Sequence, residues 1–345
     1  MRLHTLSRRL HAAFRGSDVQ RRVRDFDEWM DHADTGDAGG TGYNHAETVL
    51  EYYNLCSDFM VFGWSESLHF APLSPRESLE ESQIKHQRSI IDSLDLQEGM
   101  SVIDVGCGVG GPMRRVVREA GVRVLGVNIN EQQLARAKAL HAEAGIGDMV
   151  DYLAASFMDM SAIADETFDR GYAIESTCHA PDKVGAFAEI YRVLKPGALF
   201  WGQEMCLTDV FDPEDSRHQT IKAELQRGIA LNEIATTGEV DRALEAAGFE
   251  VIEGRDRAVG QDYAGTPWYL PMQTYGGTKR GALHTIPLGR QAMIGGVQLA
   301  EMLRIFPKGS ADVIRMMDRT ANAYTAGGET GIFTPLYCFL ARKPL

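Results

Sequence analysis

The absences in this chain narrow it first. No run of about 18 apolar residues occurs, so no segment reads as a membrane-spanning helix. Positive charge is in deficit: 35 Lys and Arg against 48 Asp and Glu leave a net charge of −13. Such a surface repels phosphates and argues against a nucleic-acid partner. Cysteine is sparse, and Cys56, Cys107, Cys178, Cys206 and Cys338 show no CxxC spacing. That pattern speaks against structural zinc and a disulfide framework, and for a reducing, cytoplasmic setting.

The remainder is that of a globular chain. Apolar residues make up 44% and aromatics 8% of 345 residues, enough for one large domain with an insertion or for two ordinary ones. Charge is uneven, because residues 1–25 hold seven Arg and two Asp. "MRLHTLSRRLHAAFRG" lacks the apolar stretch of a secretory signal. It reads as a solvated, partly flexible basic segment over 1–45, with a transit peptide or a surface-seeking amphipathic helix as alternatives. A Gly/Asp-rich linker, "DTGDAGGTGYN", closes that segment.

From residue 46 the pattern becomes periodic. "HAETVLEYYNLCSDFMVFGW" has helical spacing with a dense aromatic face, and "EESQIKHQRSIIDSLDL" gives a second helix before Gly99. Apolar strands then alternate with helices of 10–15 residues: "SVIDV", "VRVLGVN", "VDYLAAS", "FDRGYAI", "ALFWGQEMCL" and "FEVIEGRD". This rhythm predicts an α/β fold with a doubly wound, mostly parallel sheet. Residues 256–331 break it with "GTPWYLP", a Gly-rich patch and Met-rich helices from about Arg290 to Tyr324. "FTPLYCFLARKP" reads as a seventh strand returning to the sheet. The expected divisions are 1–45, N-terminal helices at 46–98, a core at 99–255, an insertion at 256–331 and the last strand at 332–345.

Two stretches carry chemistry. Asp104-Val-Gly106-Cys107-Gly108-Val-Gly110-Gly111 stands at a strand-to-helix turn with GxGxG spacing, not GxGxxG. Asp104 at the strand end would repel a pyrophosphate but suits the ammonium of S-adenosyl-L-methionine. Asn128 ends the second strand, where an amide can hydrogen-bond ribose hydroxyls. Asn130 and Gln133 just beyond it, with Ser156 and Phe157 after the third strand, complete the candidate cofactor set. The second stretch, "YAIESTCHAP", crowds Glu175, Cys178 and His179 at the end of a buried strand. Adjacent strand-end side chains point apart, which disfavours Cys178 and His179 as a nucleophile–base pair. No second ligand cluster supports a metal at Glu175, Cys178 and His179.

"DVGCGVGGP", "YAIESTCHAP", "EIYRVLKPG", "LTDVFDP", "PWYLP", "LGRQ", "FTP…ARKP" and "GWSESLHF" together resemble the sterol 24-C-methyltransferases. The resemblance runs from about Tyr52 to Pro344. It implies a Rossmann-like class I methyltransferase core, S-adenosyl-L-methionine as cofactor and methyl transfer to carbon 24 of a side-chain-unsaturated sterol. It also implies a sterol partner acquired by peripheral membrane contact, with a homo-oligomer left open. Met60-Val61-Phe62 stand where the family usually shows Tyr-Glu-Tyr, Glu66 where a smaller or neutral polar residue is usual, and Ser156 where an acid near adenine is common.

Such a reaction leaves a cation on the sterol side chain, which loses a proton to end as an alkene. A carboxylate about 4 Å away at an effective dielectric near 20 contributes roughly 4 kcal/mol, against about 2 kcal/mol for one aromatic face. Glu175 is therefore the leading catalytic candidate, facing both cofactor and developing cation. His179 and His69 are candidate proton acceptors. Glu204 and Asp209 are candidates for the sterol hydroxyl or proton removal. Tyr53, Phe59, Phe62, Trp64 and Phe70 are candidate pocket walls, joined by Glu66, Tyr172, Trp268 and Tyr269.

Overall fold

A computed structural model describes residues 3–33, 44–274 and 287–345. The linker expected at 34–44, apart from Asn44, and the Gly-rich patch before Arg290 lie outside the described residues. The chain divides into two compact units. One, built around the sheet, comprises Glu66–Asp209, Ala235–Thr266 and Phe333–Leu345. The other is helical and comprises Met1–Ser65, Val210–Ile234 and Pro267–Ile332. These cuts differ from the expected divisions: the first break falls at Ser65, and residues 210–234 leave the core for the helical unit.

In the sheet unit, α4 (Leu79–Ser93) starts from a capping box in which Ser78 and Glu81 satisfy each other's backbone N–H groups. β1 (Ser101–Val105) leads through the glycine turn into α5 (Gly111–Ala120), with Pro112 in its first turn and Gly121 closing it. β2 (Arg123–Asn128), α6 (Glu131–Glu143), β3 (Val150–Ala154), β4 (Phe168–Ile174), α7 (Lys183–Val193) and β5 (Leu194–Leu207) follow. α9 (Thr237–Ala246), β6 (Glu250–Asp256) and β7 (Phe333–Arg342) complete the unit.

The seven strands lie in the order β3-β2-β1-β4-β5-β7-β6. β1 to β5 pair in parallel, and β7 runs antiparallel between β5 and the edge strand β6. The expected doubly wound sheet is therefore present, and residues 257–332 join neighbouring strands. β5 is longer than its sequence reads. It begins at Leu194 and absorbs the Lys195-Pro196-Gly197 turn through a bulge, where Phe168 pairs Leu194 and Arg170 pairs Leu199.

The helical unit holds α1 (Leu3–Ala13), α2 (Val19–Ala33), α3 (His45–Gly63), α8 (Ser216–Ile229), α10 (Leu270–Thr274), α11 (Pro287–Met302) and α12 (Ser310–Thr330). It corrects the reading of the N-terminus as solvated and partly flexible. Leu6, Leu10 and Phe14 recur at helical spacing and are buried, as are Val19, Val23, Phe26 and Met30. An arginine-rich segment is ordered because its apolar stripe packs while Arg9, Arg21 and Arg22 reach acids. Arg22 forks onto Glu51 at 2.5 and 2.9 Å. Arg319 of α12 returns the arrangement with two bonds to Asp27, at 2.7 and 2.9 Å. The Thr320 hydroxyl of α12 donates to the Gly228 carbonyl of α8 at 2.9 Å, which is why residues 210–234 belong here.

Candidate active site

The glycine turn is shaped from both sides. Gly106 has φ +81°, and a Cβ there would lie 2.2 Å from Cβ of Ser176, so a side chain is excluded on two counts. The N–H groups of Gly106 and Cys107 both donate to the Val127 carbonyl, at 2.8 and 3.1 Å. Behind the turn, the neutral His141 ring donates from Nε2 to the Gly110 carbonyl at 2.9 Å, while Nδ1 accepts from the Tyr152 hydroxyl. Gly108 differs: a Cβ there would meet nothing within 4 Å. The turn thus presents bare backbone to open space at one residue, flanked by packed ones.

Asp104 lies beneath this turn, almost fully buried. Its Oδ2 makes no hydrogen bond among the described residues. Burial pushes its carboxyl up to about 7, against the pull of the Tyr172 phenol, its partner across the strands. A cation reaching Oδ2 would return it to the charged form. The residues present therefore fit a ligand with an ammonium group and no pyrophosphate.

At the end of β2, Asn128 is committed inside the protein. Its Nδ2 donates to Gln133 Oε1 at 2.8 Å and to the Gly108 carbonyl at 3.5 Å, and its Oδ1 accepts from the Asn130 N–H at 3.1 Å. Asn130 in turn caps α6 by accepting from the Gln133 N–H at 3.0 Å. These three amides form one braced corner beside the glycine turn. Ser156 accepts from the Met158 N–H at 3.1 Å and shapes the loop after β3, while Phe157 packs half-buried against the sheet core.

Beyond β4 the chain turns sharply, with Glu175 at φ +51°. Its hydroxyl neighbours hold that turn: Ser176 donates to the Val105 carbonyl and Thr177 to Glu204 Oε1. Glu175 Oε1 accepts from the Phe70 N–H and from Gln203 Nε2, both at 2.6 Å. Oε2 has no partner among the described residues. Gln203 is itself gripped: Nε2 also reaches the Pro335 carbonyl at 2.9 Å, and its Oε1 accepts from His86 Nε2 at 2.6 Å. Burial drives the Glu175 carboxyl well above its usual range, partly opposed by the Phe70 and Gln203 donors, with Glu204 adding to the rise. None of these partners is a cation.

Several candidates are placed differently from expectation. Glu204 is sealed from solvent, with Oε2 paired to Lys183 Nζ at 2.7 Å and Oε1 accepting from Thr177. Burial pulls the Lys183 ammonium down most strongly, but the charge and hydrogen bond of Glu204, with Cys178 and Cys206, together outweigh it and the net shift is upward. Glu204 is an internal ion pair and does not reach a substrate hydroxyl. Asp209 lies on the surface, past the end of β5. His69 is buried and pushed down to about 4, which keeps the ring neutral. Its Nδ1 donates to the Phe70 carbonyl at 2.7 Å and its Nε2 accepts from Gln87 Nε2 at 2.9 Å. Both nitrogens being engaged, it steadies the Phe70 backbone instead of taking protons. His179 is buried in the short turn Thr177–His179.

The aromatic candidates separate by unit. In the sheet unit Phe70 contributes its backbone to Glu175, and Tyr172 is core, packed among Val102, Trp201 and Cys338. Glu66 is half-exposed in an ion pair with Arg114, not an apolar wall. In the helical unit Phe59 is buried, Tyr53 and Trp64 are half-buried and Phe62 is exposed. Trp268 meets Tyr269 and Tyr324 edge-on, with centroids 5.5 and 6.0 Å apart. Among the described residues no group of three His, Cys, Asp or Glu is placed to hold a metal ion. All five thiols are free and buried, and burial raises the pKa of both Cys107 and Cys178, so neither is a ready nucleophile.

Gln203, His86, His141 and Lys183 were missed in the sequence. Of these, Gln203 alone carries a local signal, a polar residue inside the apolar run "ALFWGQEMCL".

A bare-backbone turn over an uncompensated acid, at the carboxyl edge of this seven-stranded sheet, defines a class I methyltransferase that uses S-adenosyl-L-methionine. Residues 103–202 match a methyltransferase-domain family and residues 282–345 a sterol methyltransferase C-terminal family. The chain is 42% identical to a cycloartenol-C-24-methyltransferase of Arabidopsis thaliana, over 87% of this chain and 88% of that one. It is 36% identical to a sterol 24-C-methyltransferase of Saccharomyces cerevisiae, over 94% and 85% of the two chains. A mycolic acid cyclopropane synthase solved with SAH and CTAB superposes with a TM-score of 0.67 at 19% identity, over 87% of this chain and 99% of that one. The chain belongs to the sterol 24-C-methyltransferase family.

Proposed function

We infer that this chain transfers the methyl group of S-adenosyl-L-methionine to carbon 24 of a sterol side-chain double bond. When bound, the cofactor supplies an electrophilic methyl on a sulfonium. An alkene carbon would take that methyl with its π pair as the methyl–sulfur bond breaks and its electrons stay on sulfur, releasing the neutral thioether and leaving a cation on the neighbouring alkene carbon. A hydride then shifts along the side chain, and a proton leaves to restore a double bond.

Glu175 carries this reading, because it is a buried carboxylate with one oxygen held by two neutral donors and the other unbonded. Oε2 is the group that faces positive charge. A carboxylate with no ammonium of its own is the more available to a passing cation, which supports an electrostatic role realised in the transition state. Gln203, steered by His86 and the Pro335 carbonyl, holds Oε1 so that Oε2 keeps one direction. Asp104 takes the cofactor's ammonium, and the Asn128–Asn130–Gln133 corner supports the ribose side. His179 remains the candidate to receive the departing proton. Peripheral membrane contact accompanies a substrate of this kind; no described helix is long and apolar enough to cross a membrane.

The test is transfer of label from S-adenosyl-L-methionine to a panel of side-chain-unsaturated sterols, with products read by mass spectrometry. Label should appear as one added methyl on the side chain. Label on another lipid and on no sterol would remove the substrate assignment.

A further inference from the structure

Among the described residues, the helical unit leaves one concentrated apolar surface exposed. Leu299 and Met302 stand at i and i+3 on the last turn of α11 and so share a face, and Leu303 follows directly after the helix, its N–H still bonded to the Leu299 carbonyl at 3.0 Å. Met302 is 80% exposed and Leu303 62%, with Leu299 and Ile305 also exposed. Single exposed apolar residues are ordinary, but four within the seven residues 299–305 are not. This end is built firmly. Arg304 takes φ +57° to stop the helix, the Ile305 N–H returns to the Ala300 carbonyl at 2.8 Å, and Phe306 turns inward and is buried. Ser7 of α1 donates to the Ile305 carbonyl at 2.5 Å, which brings the first turn of α1 and its exposed Leu3 to the same place.

The charge beside this apolar end runs against that of the whole chain. On α1, His4, Arg8 and His11 recur at helical spacing and continue to Arg15, all exposed. Arg304 and Lys308 flank the α11 end and are exposed too. Arg8, Arg15, Arg304 and Lys308 make no ion pair among the described residues. The nearby acids are engaged: Glu301 accepts from the Ala311 N–H, Asp312 from Gln20 and Arg315, and Asp18 from the Arg21 N–H. α1 itself offers no second apolar face, since Leu6, Leu10 and Phe14 are spent on packing.

We propose that the α11 end, with Leu3 and the basic stripe of α1, docks on a lipid bilayer bearing anionic headgroups. Apolar side chains at a helix end enter the headgroup–acyl boundary while the surrounding cations meet the negative surface. A second copy of this chain is the poorer occupant: a two-fold contact would set these unpaired cations against one another. The proposal rests on the sterol reading only for its purpose, since a membrane is where such a substrate is found.

The experiment is co-flotation of the full-length protein with vesicles of phosphatidylcholine alone or with about 30% phosphatidylserine. The wild-type protein should float with the anionic vesicles and be released at high salt. Met302→Asp combined with Leu303→Asp should lower the bound fraction at least about fivefold, while Val259→Asp, an exposed apolar residue of the sheet unit, should not. Turnover of detergent-dispersed sterol and Tm should stay unchanged in the double variant, which separates lost docking from lost folding. Equal flotation of wild type and double variant overturns the proposal, as does absence of flotation from both vesicles. Self-association that the double variant abolishes, without vesicle binding, also overturns it and assigns the face to a second copy. Vesicle binding without sterol turnover leaves the docking surface standing and removes the substrate reading instead.

Discussion

At the carboxyl end of β4, Glu175 meets a backbone N–H and a carboxamide; in the neighbouring strand β5, Glu204 meets an ammonium and a hydroxyl. Both carboxylates are buried, and by sequence both were catalytic candidates, with Glu175 the leading one. The partners separate them. Glu204 is neutralised by Lys183 and holds the turn after β4 in place. Glu175 is left with neutral donors and an unbonded oxygen, and burial keeps its charged form costly until a cation arrives. A carboxylate in a site becomes available for chemistry when its own protein withholds the counter-ion.

Breaking either side should therefore have opposite signatures. Glu175→Gln keeps shape and removes charge; kcat should fall about a thousandfold, from roughly 4 kcal/mol of lost transition-state stabilisation, with Tm little changed. Activity within about threefold of wild type would take Glu175 out of the mechanism. Lys183→Met leaves Glu204 buried and uncompensated, so unfolding free energy should drop by about 3–4 kcal/mol, read by denaturant titration. Adding Glu204→Leu to Lys183→Met should recover most of that loss, since the pair is then replaced by apolar packing.

Gln203→Leu sharpens the contrast by leaving Glu175 in place and removing one donor. A hydrogen bond to a charged group is worth about 1.5–3 kcal/mol, so kcat should fall roughly 10- to 100-fold near neutral pH. Because that donor lowers the Glu175 pKa, its removal raises it, and the acidic limb of the pH–rate profile should move to higher pH. An unmoved limb would make Gln203 merely structural. The smallest effect belongs to Asp104, a third acid without a cation. Its carboxyl is raised to about 7 in the free protein, and a bound ammonium would favour the ionised form. Affinity for S-adenosyl-L-methionine should thus be full above pH 7 and weaken on acidification, by up to about tenfold per pH unit. Calorimetry across pH checks this, and Asp104→Asn should flatten the dependence.

The sheet was legible because its cues are local. "SVIDV", the glycines, Pro112 and Gly121 each fix the conformation of their own few residues, and the alternation of strands with helices then leaves few topologies. The lengthening of β5 was not legible, because the Lys195-Pro196-Gly197 turn is taken into the strand by pairing of its flanks, Leu194 with Phe168 and Leu199 with Arg170 and Arg342. The glycine turn with Asp104 before it could be read for the same local reason as the sheet, but that Gly108 is the glycine open to space could not. The N-terminus shows the limit: the spacing of Leu6, Leu10 and Phe14 was visible, but burial of that stripe depended on the rest of the helical unit.

Type and order of elements, the cofactor turn and the presence of acids at strand ends were written into consecutive residues. Which acid stays without a counter-ion was decided only in three dimensions. Phe70, Gln203 and Lys183 reach the two glutamates from separate parts of the chain, and Pro335 holds Gln203 from another. Electrostatic environment is a sum over neighbours in space, and sequence order does not record them.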